Sequence, residues 1–169
     1  METTTTPTTK GALAINRGKI NRPQKAVIYG PEGVGKSTLA SLTPAPVFLD
    51  TEGGTHHLDV IRLDAASTWD EITAAVAQLA KAPHPFKTLV IDTADWLEKR
   101  LSEHLCRKAN KDSIEDFGYG KGWVLLTEEF ARFLNSLDAL LSPGQGGGPQ
   151  RGCLVATAVL SEATRLALA

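Results

Sequence analysis

The apolar run Lys25 to Tyr29 (Lys-Ala-Val-Ile-Tyr) stops at a glycine and opens directly into Gly30-Pro31-Glu32-Gly33-Val34-Gly35-Lys36-Ser37. No other stretch restricts the fold as strongly. A short apolar segment that ends at glycine reads as a buried strand, and Lys36 to Leu42 reads as the start of a helix. The turn between them fits the spacing Gly-x-x-x-x-Gly-Lys-Ser, in the strand-to-helix context where it cradles phosphates. Gly30, Gly33 and Gly35 let the backbone turn and aim its N–H groups inward, with no Cβ to obstruct an anion. Free amides and the dipole at the helix start add attraction at the same point. Lys36 is placed to reach the β and γ phosphates of a nucleoside triphosphate, and the Ser37 hydroxyl to ligate Mg²⁺, a hard cation that prefers oxygen. Residues Gly30, Pro31, Glu32, Gly33, Val34, Gly35, Lys36, Ser37 and Thr38 are therefore the candidate ATP-binding loop.

The remaining pattern alternates strand with helix. Val47 to Asp50 is a second apolar run, framed by Pro44 and Pro46 and followed by Thr51-Glu52-Gly53-Gly54. From Thr68 the period becomes helical: Thr68 and Glu71 have capping-box spacing, Ile72, Val76 and Leu79 share a face, and Pro83 and Pro85 close the helix. Thr88 to Ile91 is a third strand ending at Asp92, after which Leu97, Leu101 and Leu105 mark a helix face. A wide stripe from Leu126 to Leu141 predicts one long helix over about Trp123 to Leu141, halted by Ser142-Pro143-Gly144. Gly144 to Gly152 reads as a mobile loop, Cys153 to Leu160 as a fourth strand and Ser161 to Ala169 as a final helix. Such alternation predicts an α/β fold, a mostly parallel sheet with helices on both faces and ligands at the carboxyl ends of the strands.

Two carboxylates stand at such ends. Asp92 can hold magnesium directly or through water, although an aspartate after a strand also commonly caps the next helix. Glu52 can orient a water for hydrolysis, or Asp50, Thr51 and Glu52 can simply satisfy backbone donors in a turn. Thr93 suits helix capping at least as well as chemistry. His56 and His57, being adjacent, point apart from an extended chain and do not suggest a metal site. Tyr119-Gly120-Lys121-Gly122 reads first as a turn between helices, with base stacking as the alternative. Trp69, Trp96 and Trp123 near helix starts are expected in the core.

Composition narrows the remaining classes. In 169 residues, 42% hydrophobic and 22% charged, there is material for one domain with a sizeable core. A net charge of −1 gives no global pull toward nucleic acid or membrane, though Lys10, Arg17, Lys19, Arg22 and Lys25 make the start basic. Two cysteines, Cys106 and Cys153, lie outside any disulfide or zinc spacing. With no apolar run of the ~20 residues a bilayer requires and no signal-peptide pattern, a cytoplasmic location without membrane contact is expected.

These motifs resemble the phage-encoded AAA-type ATP-binding proteins with a shortened RecA-like core, linked to single-strand DNA annealing and recombination. The resemblance is carried by Ile28 to Ala40, Leu49-Asp50-Thr51-Glu52-Gly53-Gly54, Val90-Ile91-Asp92-Thr93 with Trp96-Leu97-Glu98, and Tyr119 to Gly122. It implies a P-loop NTPase fold, with Glu52 where RecA-like ATPases keep the water-activating glutamate. It carries Lys36 over as a catalytic and binding residue and Ser37 and Asp92 as magnesium ligands. It also implies a homo-oligomer on single-stranded DNA, in a bacterial or phage-infected cell. The departure is at the end, where no histidine follows the run 152–160 and truncation or a shifted frame beyond about Ser142 is expected. The expected organisation is a disordered, threonine-rich and basic 1–23, a P-loop core 24–141, a Gly/Pro-rich loop 142–152 and a terminal strand and helix 153–169. A nucleotide-binding module without turnover remains the alternative, ahead of a nucleotide or metabolite kinase, for which residues 111–169 offer only scattered basic side chains.

Overall fold

Each short apolar run becomes a strand, and each amphipathic run becomes a helix laid across the strands. The computed structural model describes residues 25–64, 67–141 and 153–158. The elements are β1 (Lys25–Tyr29), α1 (Lys36–Ser41), β2 (Pro46–Asp50), β3 (Ile61–Arg62), α2 (Trp69–Lys81), β4 (Thr88–Asp92), α3 (Ala94–Ala109), a 3₁₀ turn (Glu115–Phe117), α4 (Lys121–Ser136), α5 (Asp138–Leu141) and β5 (Cys153–Ala158). All four strand pairings are parallel, in the order β1-β5-β4-β2-β3. This is the α/β architecture expected above. The strand after the glycine-rich segment belongs to this sheet. It lies between β1 and β4, pairing Ile28 with Thr157 and Asp92 with Thr157 on its two sides.

Alternation along the strands divides the core in two. Val47, Leu49, Leu89 and Ile91 point to one face and pack with Ile72, Leu97, Leu101, Phe133 and Leu137 from α2, α3, α4 and the residue after it. Phe48 and Val90 point to the other face and meet Ala40 of α1. Central β4 is buried throughout, whereas Val27 and Tyr29 of edge strand β1 are exposed. No helix among the described residues is long and apolar enough to cross a membrane.

Local signals act as their chemistry demands. The Thr68 hydroxyl accepts from the Glu71 amide and the Glu71 carboxylate accepts from the Thr68 amide, closing the capping box that starts α2. The single helix expected over 123–141 is broken at Leu137. The Ser136 hydroxyl donates to the Phe133 carbonyl at 2.6 Å, competing with the helical ladder before α5 begins. Only Trp69 of the three tryptophans is a core residue, tilted against Phe133 with ring centroids 4.9 Å apart. Trp96 is half-buried beneath Lys99, and Trp123 is exposed because it lies on the outer face of α4. Tyr119 to Gly122 form a turn into α4, and a Cβ on Gly122 would stand 2.1 Å from the Ile114 carbonyl oxygen, so only glycine permits this approach. The threonine-rich start, the segment 142–152 and the expected final helix lie outside the described residues.

Candidate functional site

The carboxyl ends of β1, β2 and β4 open into one cleft of about 320 Å³. The first wall is the loop after β1. Gly33 and Gly35 have φ of 75° and 89°, a region that costs an L-residue about 1–2 kcal/mol. A Cβ at either position would meet nothing within 4 Å. The requirement at these glycines is therefore backbone conformation and not crowding from within the chain. Lys36, the first residue of α1, is buried to 8% exposure, and its ammonium donates to the carbonyls of Gly30 at 3.0 Å and Pro31 at 2.9 Å. An ammonium has three donors, so these bonds orient the group while one donor remains for a phosphate oxygen. Because α1 has only six residues, loop amides and Lys36 outweigh any helix dipole.

Of the loop residues singled out from sequence, Glu32, Gly33, Gly35, Lys36, Ser37 and Thr38 line the cleft. Gly30 and Pro31 stand behind it as acceptors for Lys36, and the Val34 side chain is exposed. These three shape the loop without lining the cleft.

The second wall follows β2 and is built by side chains. Asp50, the last residue of β2, accepts from the amides of Gly53 at 2.7 Å and Gly54 at 3.2 Å on Oδ1, and from the Thr55 amide and hydroxyl on Oδ2. Partial burial pushes the Asp50 carboxyl up, but these hydrogen bonds outweigh it and hold the group below its ordinary value. Arg62 of β3 fastens the same loop from behind. Its Nε donates to the Thr55 hydroxyl at 2.7 Å, and its Nη atoms donate to the carbonyls of Thr55, Leu58 and Val60. With so many donors engaged inside the loop, Arg62 is a brace and not a phosphate contact. The expected turn role of this acidic cluster thus falls to Asp50, while Glu52 extends into the cleft with Gly54 and His57.

The third wall is the corner after β4. Asp92, 4% exposed, ends the strand, and Thr93 begins the next helix through a cis peptide bond. Register places Asp50 opposite Asp92. Beyond that pair the Thr51 amide donates to the Asp92 carbonyl and the Thr51 hydroxyl donates to the Thr93 carbonyl, each at 2.8 Å. This double latch ties the acidic loop to the Asp92 corner, so Lys36, Ser37, Glu52, Asp92 and Thr93 share one cleft. Sequence reasoning did not select His57 for this cleft. A pair of adjacent histidines in a polar loop carries no site spacing, and the place of His57 follows from the Asp50 and Arg62 bonds.

The family model described as AAA domain matches residues 22–142, a span that contains every residue lining the cleft. No curated protein matches the chain.

Proposed function

The chain belongs to the AAA domain family, a nucleotide-binding ATPase class, and from that premise we propose that the cleft binds and hydrolyses Mg-ATP. The observation that carries this reading is convergence: a lysine, a hydroxyl and two carboxylates from three separate strand ends line one space. Lys36 and the loop amides hold the phosphates. Glu52, exposed at the rim and free to meet a water, acts as the general base. Among the described residues no group of three His, Cys, Asp or Glu could cage a metal. A hydroxyl and a carboxylate, Ser37 and Asp92, instead suit a cation that keeps several waters and takes its other ligands from phosphate oxygens, as magnesium does. When bound, the metal neutralises phosphate charge.

The finer proposal is that ATP turnover accompanies assembly of several copies on single-stranded DNA, in phage recombination or strand annealing. Its support is the motif series of Gly30 to Ser37, Glu52 just after β2 and Asp92 at the end of β4, which is RecA-like in placing the glutamate at the end of a different strand from the aspartate. Phosphate release measured with single-stranded DNA, duplex DNA and no DNA, against Lys36→Ala as blank, tests it. Stimulation by single strands is expected, and indifference to DNA would discard the recombination role. Release no greater than the blank would leave a nucleotide-binding module. Glu52→Gln should lower turnover by about 10²–10⁴-fold with ATP still bound; unchanged turnover in a folded variant would remove Glu52 as the base.

A further inference from the structure

Thr93 occupies the N-cap position of α3, where a threonine ordinarily turns its hydroxyl onto an amide of the first helical turn. Here the side chain makes no capping hydrogen bond. Its Oγ1 is buried without a hydrogen-bond partner among the described residues, and the residue is only 4% exposed. Buried hydroxyls in native proteins are nearly always satisfied, by protein, water or ligand. Thr93 lies in the wall of the nucleotide cleft, beside Asp92 and within the same lining as Lys36 and Glu52.

Its placement is held by backbone. The Thr93 carbonyl accepts from the Thr51 hydroxyl at 2.8 Å and from the Leu97 amide at 3.1 Å, so both the acidic loop and the first turn of α3 fix the residue. Thr51 immediately precedes Glu52, and the latch therefore keeps the backbone of Thr93 and that of Glu52 on one side of the cleft. The phosphate loop approaches from β1, which β5 separates from β4 in the sheet. The cleft continues from that loop to the β2 and β4 corners, which is the space open to the terminal group of a triphosphate seated there.

We propose that Thr93 is a binding residue for the terminal phosphate, its hydroxyl donating to a γ-phosphate oxygen so that the site distinguishes nucleoside triphosphate from diphosphate. The proposal rests on the cleft being the ATP site. A hydroxyl released from its cap duty, cut off from solvent and fixed in the wall opposite the phosphate loop is the donor such an oxygen requires.

The test is calorimetric titration of the full chain with Mg-ATP and with Mg-ADP, comparing Thr93→Val, close in shape but lacking the hydroxyl, with Thr93→Ser, which keeps it. Thr93→Val should weaken ATP about tenfold, the scale of one hydrogen bond to a charged acceptor, and leave ADP unchanged. Thr93→Ser should bind both as the parent does. Because Thr93→Val removes a hydroxyl with no partner among the described residues, its melting temperature without nucleotide should equal or exceed the parent's. Unchanged ATP affinity in Thr93→Val, equal loss for both nucleotides, an equal loss in Thr93→Ser, or a lowered melting temperature of Thr93→Val would each overturn the assignment. If Lys36→Ala loses ATP while Thr93→Val does not, the Thr93 role alone fails. If the parent binds neither nucleotide, the ATP reading fails with it.

Discussion

The two loops that face each other across the cleft are fixed by opposite means. The one after β1 is held by its own backbone, with left-handed glycines at 33 and 35 and a lysine that folds back onto the carbonyls of Gly30 and Pro31. The one after β2 is held by side chains at its own two ends: Asp50 gathers three amides and a hydroxyl, and Arg62 ties down what Asp50 leaves loose. Backbone conformation codes the first, and side-chain hydrogen bonds with the Thr51 latch to β4 code the second. A change in the first should therefore disturb ligand more than fold, and a change in the second should disturb fold before ligand.

The sharpest test sets Lys36→Ala against Arg62→Ala. Among the described residues the Lys36 ammonium makes two bonds, both to its own loop. Its removal should cost about a hundredfold in ATP affinity, as loss of a preorganised charged donor does, with little change in unfolding midpoint. Arg62 lines no part of the cleft and makes its bonds to Thr55, Leu58 and Val60. Arg62→Ala should cost about 2 kcal/mol of stability, read by urea unfolding, with a smaller loss of affinity. The reverse ranking would break the contrast between the loops.

The same contrast explains what could be read in the sequence. The phosphate loop was legible because its chemistry is written in consecutive residues. β2 and β4 were legible because an apolar run ending in a polar cluster has few other outcomes, and Asp92 proved to be the last strand residue. The brace was not legible, since Arg62 lies in a two-residue strand with no periodicity and its partners are found only once the loop closes. The place of β5 between β1 and β4 was hidden for a related reason. Parallel pairing joins segments far apart in the chain, and nothing in Cys153 to Ala158 names its neighbours. Thr93 was ambiguous because capping and ligand contact need the same hydroxyl, and only its missing cap bond separates them.

A smaller effect should appear on the acid side. Folding holds the Asp50 carboxyl below its ordinary value through the Thr55, Gly53 and Gly54 bonds, after the opposing push of burial. Its contribution is then fully present above the ordinary carboxylate range near about pH 4 and is lost as pH falls through the depressed value. In Asp50→Asn that part of the acid transition should vanish, so the difference in stability from the parent narrows below about pH 4. A difference that stayed constant from neutral pH into acid would show that the carboxylate's charge does not hold the loop.

The smallest expected change in stability carries the most information about the first loop. Gly33→Ala places a Cβ in open space, so a steric account predicts no consequence for the protein without nucleotide. The φ of 75° predicts otherwise: an alanine there costs about 1 kcal/mol, or the loop relaxes to negative φ and withdraws its amides. Strain kept in both the free and the bound protein cancels in binding, so the first route lowers the unfolding midpoint and leaves ATP affinity alone, whereas the second lowers affinity. A variant with an unchanged midpoint and weaker ATP binding would show that the loop yields its conformation readily and that the nucleotide, more than the fold, holds those amides in place.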